Sequence, residues 1–242
     1  KYGEQPSQEY RLSLNQEPWD EIKYVEHTLA EIKSLRIQFP DIGIIHDIHE
    51  RVSPELALRF AKSLEEFELL FIEDPVSPEN IDFLENFRGL STPIAFGELL
   101  NGWMDFTKII KERWVSYIRC HVTQLGGVTP ALKLAHLAEG FGIKTAWHGP
   151  GDVSPVGHAA HLSLGLATEN FGIQEVYLHG ENSEKVFRGI PEIRDGVLVP
   201  SDRPGFGIDI DEREAGKFPF PDHLLNGAWP EIRRPDGSIT KP

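Results

Sequence analysis

The segment IGIIHD at residues 42–47 is a short apolar run that ends in an acidic side chain, Asp47. The same pattern returns as LLFIE, which ends at Glu73, and as PIAFGE, which ends at Glu98, at intervals of about 25 residues. Apolar runs of this length are typical of strands that are buried on both faces, as in a parallel sheet. The interval leaves room for one strand, one crossover helix and two loops. The sequence therefore predicts an α/β fold built from βα units.

The three acids occupy equivalent places, at the carboxyl ends of successive predicted strands. Parallel strands bring their carboxyl ends to one face of a sheet or barrel, where such folds carry their chemistry. Clustered carboxylates repel one another unless a cation joins them, and hard oxygen ligands suit Mg²⁺. A single acid at a strand end is readily explained as a helix cap, but the repeat favours a shared role. We therefore predict that Asp47, Glu73 and Glu98 bind one Mg²⁺ ion.

Later apolar runs also end in charged or imidazole side chains, namely Arg119 with His121, then His148, then Glu175. Between the runs, amphipathic segments begin with a hydroxyl residue and a proline, which suits the first turn of a helix. These starts are Ser53-Pro54, Ser77-Pro78, Thr129-Pro130 and Ser154-Pro155, and further helices are predicted after Trp19 and around Trp103. Strict alternation of strands and helices predicts parallel pairing through right-handed crossovers.

The chain divides by pattern into a lead-in segment or loop (1–17), βα barrel units that carry the metal site (18–177) and an irregular carboxyl-terminal extension that packs on the barrel (178–242). About six βα units are visible, against the eight of a closed barrel. We therefore expect the first strands, and whatever precedes them, to lie outside this sequence. The alternative is an open sheet of six strands, which would leave its edges exposed.

Composition excludes several classes of protein. The net charge of −14 has no offsetting basic stripe, which argues against a nucleic-acid partner. The single cysteine, Cys120, cannot form a disulfide framework. No apolar run reaches the roughly 18 residues of a membrane span. We predict a cytoplasmic enzyme with a small-molecule substrate, no membrane partner and a homo-oligomeric assembly.

A set of short motifs resembles the enolase superfamily and, within it, the mannonate dehydratase and D-gluconate dehydratase group, which includes proteins named for starvation sensing. The motifs are DIH (47–49), IEDP (72–75), GE (97–98), RCH (119–121) with GG (126–127), WHGPGD (147–152) and NGAWP (226–230). Each motif is weak alone, but their order at successive strand ends is specific. The resemblance implies a modified TIM (β/α) barrel preceded by a capping domain, and we expect the capping domain to lie outside this sequence.

The resemblance also implies a reaction. Members of the superfamily remove the proton next to a carboxylate and hold the resulting enediolate on Mg²⁺. In a sugar acid, loss of the neighbouring hydroxyl then gives a 2-keto-3-deoxy acid. This implies a Mg²⁺-dependent hydro-lyase acting on a D-mannonate or D-gluconate type of substrate. The alternative is a catalytically weak sensor or regulator that keeps the metal and ligand site.

Several residue roles follow from the resemblance. His49 is expected to be the acid for the departing hydroxyl, and it points to the side of Asp47 if the strand pitch persists. The alternative for His49 is a loop histidine that faces water. Arg119 is expected to clamp the substrate carboxylate with its two-pronged guanidinium, or to form an ordinary ion pair with a metal-binding acid. Glu98 and His49 are also expected to contact the substrate.

The resemblance assigns substrate hydroxyls to His148, Asp152, Glu175 and Trp229. In other branches of the superfamily a histidine at the position of His148 is the catalytic base. A neighbouring Arg119 would lower the basicity of His148, so we rank it as a binding residue first. The base itself is expected outside this chain, since neither Tyr2 nor Tyr10 matches a motif. The remaining strand and helix histidines (His46, His136, His158 and His161) are interpreted as core or surface groups.

Overall fold

The computed structural model describes residues 19–219, 232–233 and 239–240. The chain forms two compact units, the first made of residues 1–92 and 221–242 and the second of residues 93–220. Strands alternate with helices along the chain through both units up to residue 174, as predicted. Among the described residues, none of the helices combines the length and the apolar character that crossing a membrane requires.

The first unit contains α1 (Glu21–Gln38), β1 (Ile45–Asp47), α2 (Pro54–Leu64) and β2 (Phe71–Glu73). Asp20 caps α1, because its side chain accepts hydrogen bonds from the amides of Ile22 and Lys23. The helix α2 begins at a proline, as predicted, and buries Leu56, Phe60 and Leu64 on one face. The strands β1 and β2 are parallel.

Short 3-10 helices follow the two elements α2 and β2, at Glu65–Phe67 and Pro78–Phe87. The second of these begins at the predicted proline but is kinked at Asn80. The Asn80 side chain donates a hydrogen bond to Ser77 Oγ at 3.1 Å, which holds the backbone locally in place of a regular α-helix. The predicted helix therefore exists, in a tighter and interrupted form.

The second unit contains β3 (Ile94–Phe96), α3 (Trp103–Lys111), β4 (Tyr117–Cys120), α4 (Val128–Glu139), β5 (Lys144–Trp147), α5 (Pro155–Ala167) and β6 (Phe171–Gln174). The strands β3 to β6 pair in chain order, and every pairing is parallel. Completely buried side chains such as Phe106, Ile118 and Trp147 fill its core. The carboxyl ends of all four strands therefore point the same way.

After β6 the chain changes character. It forms α6 (Glu181–Val186), β7 (Phe187–Arg188), β8 (Glu192–Arg194), β9 (Val197–Val199), β10 (Asp209–Ile210) and α7 (Glu212–Ala215), with β11 (Ile232–Arg233) and β12 (Ile239–Thr240) in the first unit. These strands pair only as antiparallel couples, β7 with β10, β8 with β9 and β11 with β12. The described part of this stretch holds no further βα unit. The interpretation of 178–242 as an extension on a barrel stays a prediction, and 1–17 lie outside the described residues.

Candidate active site

In the first unit, two predicted metal ligands sit at matching positions. Asp47 and Glu73 end β1 and β2 and are paired in register. Glu73 is buried, at 3% exposure, whereas the Asp47 side chain is 41% exposed. A buried carboxylate is costly unless it is paired or coordinates a cation. The pair is a hard oxygen donor set at adjacent strand ends, and it fits the chemistry that Mg²⁺ requires.

A neighbouring acid was not assigned a role from the sequence. Asp74 directly follows β2, is buried at 1% exposure and has a φ of 36°. Ligand atoms of Glu73 and Asp74 lie within 4.8 Å of each other. The signal was present in the motif IEDP, where two acids are adjacent, but the period of the strand ends selected only the first of them.

His49 reaches Asp47 by a different route from the predicted one. The strand ends at Asp47, and His49 and Glu50 have φ angles of 51° and 57°, so the strand pitch does not persist. The amide of His49 instead donates to Asp47 Oδ1 at 2.8 Å, and His49 Nδ1 lies 3.5 Å from Asp47 Oδ2. The His49 side chain is 13% exposed, which does not match a loop histidine facing water.

His46 is a core histidine, as interpreted from the sequence. The hydroxyl of Tyr24 lies 2.9 Å from His46 Nε2, and the ring packs edge-on against Phe60 at 5.5 Å between centroids. Burial, with a smaller contribution from the charge of Arg51, lowers the pKa of His46 to about 4. His46 therefore faces α1 and α2, and it takes no part in the candidate site.

In the second unit, Glu98 follows β3 after a glycine that no other residue could replace. Gly97 has a φ of 128°, and a Cβ there would lie 2.8 Å from the carbonyl oxygen of Arg119 and 2.6 Å from the Phe106 ring. The close approach fixes the end of β3 against β4. Glu98 is buried, at 5% exposure, and its Oε2 lies 2.9 Å from His148 Nε2. Glu98 and His148 therefore form a pair at the ends of β3 and β5.

Arg119 is buried in β4 and held in a fixed orientation. Its Nη1 donates to the carbonyl oxygen of Ala146 at 3.2 Å, and its Nη2 donates to Glu175 Oε2 at 2.8 Å. Glu175 also accepts a hydrogen bond from the amide of Gly149 at 3.0 Å. Burial raises the pKa of Glu175, but the Arg119 charge and these hydrogen bonds together hold that pKa below its ordinary value. Glu175 is therefore an anion locked to a cation.

The turn after β5 brings backbone close to Glu175. A Cβ on Gly149 would lie 2.3 Å from the carbonyl oxygen of Glu175 and 2.7 Å from the ring of His158. The close approach of the Gly149 backbone is therefore to Glu175 and His158. Asp152 lies exposed in the same turn.

His121 joins this group, although the sequence assigned it no separate role. Its ring lies 5.6 Å from that of His148, and its Nδ1 lies 3.2 Å from Thr123 Oγ1. Burial and the neighbouring His148 lower the pKa of His121, while the charge of Asp152 acts in the opposite direction. The signal in the sequence was the spacing, since Arg119 and His121 are two residues apart along an extended segment. Trp229, Tyr2 and Tyr10 lie outside the described residues.

Comparison with known proteins fixes the family. Residues 11–215 match the family described as Enolase C-terminal domain-like. The chain belongs to this family. The family match confirms the predicted fold class, a part of a modified (β/α) barrel, and the predicted resemblance to the enolase superfamily.

Among the curated relatives of this enolase C-terminal domain are D-galactonate dehydratase family members. One from Enterococcus gallinarum is 42% identical over 227 residues, which cover 93% of this chain and 56% of the relative. One from Salmonella virchow is 48% identical over 202 residues, which cover 83% of this chain and 48% of the relative. The chain thus spans about half the length of the curated relatives that it matches.

A solved structure of an enolase from Pantoea ananatis, with bound D-gluconate and Mg, matches the domain with a TM-score of 0.89. It is 40% identical in sequence, and the match covers 95% of this chain and 56% of that one. A mandelate racemase/muconate lactonizing enzyme from Jannaschia matches with a TM-score of 0.77 at 24% identity, which shows the fold alone.

Proposed function

We propose that the protein to which this chain belongs is a Mg²⁺-dependent dehydratase of sugar acids of the D-gluconate or D-mannonate type, which yields a 2-keto-3-deoxy acid. One observation carries the proposal. The chain carries an arginine, acidic residues and histidines at successive strand ends, and it matches a structure that holds D-gluconate and Mg with a TM-score of 0.89. A cytoplasmic location and a homo-oligomeric assembly are parts of the same proposal.

We assign the metal ligands to Asp47, Glu73 and Glu98. The support is the donor chemistry within each unit, where Asp47 and Glu73 end paired strands and Glu98 is a buried carboxylate. When bound, Mg²⁺ would supply positive charge beside the substrate carboxylate and so ease loss of the adjacent proton. Asp74 is a further acid within reach of Glu73 and is a candidate to orient it.

We assign the proton donor for the departing hydroxyl to His49. Its Nδ1 lies near Asp47 Oδ2, which favours a ring orientation with a proton on Nδ1 and Nε2 directed away from Asp47. The step needs the imidazolium form of His49, with a proton on each ring nitrogen. Its Nε2 would give its proton to the hydroxyl as the carbon–oxygen bond breaks, so that water leaves and a neutral ring with its hydrogen on Nδ1 remains. The base that removes the α-proton is expected from a part of the protein outside this chain.

The remaining groups would bind the substrate. Arg119 and Glu175 place a positive and a negative side chain next to each other. Arg119 can therefore bind the substrate carboxylate, while Glu175 accepts a hydrogen bond from a substrate hydroxyl. Because its pKa is lowered, Glu175 is ionised at neutral pH and can accept hydrogen bonds but not donate them. His148 and Asp152 are assigned to hydroxyls of the same substrate, as is Trp229, and Glu98 is expected to contact the substrate as well.

A turnover screen tests the proposal. Purified full-length protein would be incubated with D-gluconate, D-mannonate and D-galactonate, with Mg²⁺ or with EDTA, and the 2-keto-3-deoxy product would be measured. Product that depends on Mg²⁺ is the expected result. A sugar acid that raises the melting temperature without product would favour the alternative, a sensor that keeps the ligand site. If no acid gives product and no acid raises the melting temperature, both the dehydratase proposal and the sensor alternative are overturned.

A further inference from the structure

A histidine in the middle of α5 makes a contact that ordinary packing does not require. His161 is completely buried, and its Nε2 accepts a hydrogen bond from the amide of Val122 at 2.9 Å. A nitrogen that accepts a hydrogen bond carries no proton, so the ring is neutral with its hydrogen on Nδ1. Burial and the nearby His158 lower the pKa of His161 to about 3, which keeps this state at neutral pH.

The ring touches the chain behind two residues of the candidate site. Val122 directly follows His121 in the turn after β4, where its carbonyl oxygen accepts a hydrogen bond from Gly127. The same ring stacks on Trp147, with centroids 5.4 Å apart and planes 11° from parallel. Trp147 directly precedes His148. One side chain therefore contacts the ends of both β4 and β5, next to the residues whose imidazoles lie 5.6 Å apart.

The filling of space alone does not explain the residue type. An apolar side chain would fill the same space without the cost of burying ring nitrogens. His161 Nδ1 has no hydrogen-bond partner among the residues that the structure describes, so the imidazole is only half satisfied. What the imidazole adds over an apolar residue is the acceptor for the buried amide of Val122. That amide belongs to the residue directly after His121, so holding it in place also orients the His121 side chain.

We propose that His161 is a positioning residue that fixes the turn after β4, so that His121 acts beside His148 as a further hydrogen-bonding residue for a substrate hydroxyl. The proposal rests on the proposed function, because it takes a polyhydroxy acid as the ligand. His121 suits the task, since it is half-buried and neutral at pH 7. Its Nδ1 lies against Thr123 Oγ1, so Nε2 is the nitrogen for a substrate hydroxyl, as donor or acceptor according to the tautomer.

Two substitutions of His161 in the full-length protein separate its two contacts. His161→Phe keeps a ring against Trp147 but removes the acceptor, whereas His161→Gln keeps an acceptor at the place of Nε2 but removes the ring. His136→Phe is the matched control, because His136 lies in α4 with its side chain 57% exposed. The readouts are KM and kcat for the sugar acid and hydrogen exchange of the peptide that contains Val122.

The expected result is a KM about tenfold higher in H161F, with kcat changed far less, and faster exchange at Val122. In H161Q the KM and the exchange rate at Val122 should lie close to those of the unaltered protein. In H136F the KM, kcat and exchange rate should all equal those of the unaltered protein. His121→Ala should raise KM by a similar factor. The KM of the double variant H121A/H161F should be little higher than that of H121A, because both substitutions remove the same contact between His121 and the substrate.

Other outcomes would overturn the proposal. A lowered melting temperature with unchanged KM in H161F, or additive effects in the double variant, would reduce His161 to a stabilising group. If H161F does not fold, an unchanged KM in H121A alone rejects the assignment. If the unaltered protein turns over no sugar acid, the proposed function fails, while exchange at Val122 in H161F and H161Q still decides whether His161 holds the turn.

Discussion

At the scale of single residues, the proposed metal site depends on the negative charge of its carboxylates. Glu98→Gln keeps the size of the side chain but replaces an anion with a neutral amide, which is a poorer ligand for Mg²⁺. We expect activity to fall by about 100-fold or more while the melting temperature without metal changes little. Assays over a range of Mg²⁺ concentrations measure the effect. Glu112→Gln, at an exposed position after α3, is the control, and equal losses in both variants would contradict the assignment of Glu98.

His49 offers a second test at this scale, because the two halves of the reaction can be separated. His49→Asn keeps a polar group near Asp47 but cannot donate from the place of Nε2. We expect dehydration to stop while the α-proton of the substrate still exchanges with solvent, as measured by NMR in deuterated water. Loss of exchange together with dehydration would point to a role of His49 in the base or in the metal shell.

At the scale of elements, the sequence predicted what local patterns determine. Apolar runs predicted the six parallel strands, and Ser-Pro pairs predicted helix starts within one residue at Pro54 and Pro155. It could not predict the left-handed backbone at His49, because a positive φ in a non-glycine residue follows from the surrounding fold. It also missed the contact of His161 with Val122, since residues 39 apart in sequence meet only through packing of α5 on the β4 turn.

The packing of α5 also sets a response to pH. The pKa of His161 in the folded state, about 3, lies below its unfolded value, about 6.5. The unfolded chain therefore binds more protons in acid, so the contribution of His161 to stability is fully present above pH 6.5 and declines as the pH falls towards 3. His158 on α5, Arg119 and His121 on and after β4 and His148 after β5 all oppose its protonation.

We expect this residue alone to cost roughly 2 kcal/mol of unfolding free energy between pH 7 and pH 5. Denaturant unfolding at both pH values measures the difference. His161→Gln cannot be protonated, so its loss of stability over the same interval should be smaller, whereas His136→Gln should behave as the unaltered protein. Parallel pH profiles for all three proteins would show that His161 does not determine the acid response.

At the scale of the whole molecule, the chain covers only about half the length of its curated relatives. The residues that the structure describes form six strands of βα units, where a closed barrel has eight. In the second unit, Leu166, Phe171 and Leu178 are exposed around β6, at 65%, 42% and 78%. Exposed apolar groups of this kind are covered in proteins by further polypeptide or by association. We therefore predict that residues 1–242 produced alone will self-associate and will not turn over a sugar acid.

The full-length protein supplies the comparison for this last prediction. Light scattering should give a larger and concentration-dependent mass for the isolated chain, and its product formation should stay at the background level with Mg²⁺ present. If the base is donated by the rest of the protein, adding that part as a separate polypeptide should restore measurable turnover. A monodisperse chain of residues 1–242 with the turnover of the full-length protein would instead require that the base lies within this sequence, which would make Tyr2 and Tyr10 the first residues to substitute.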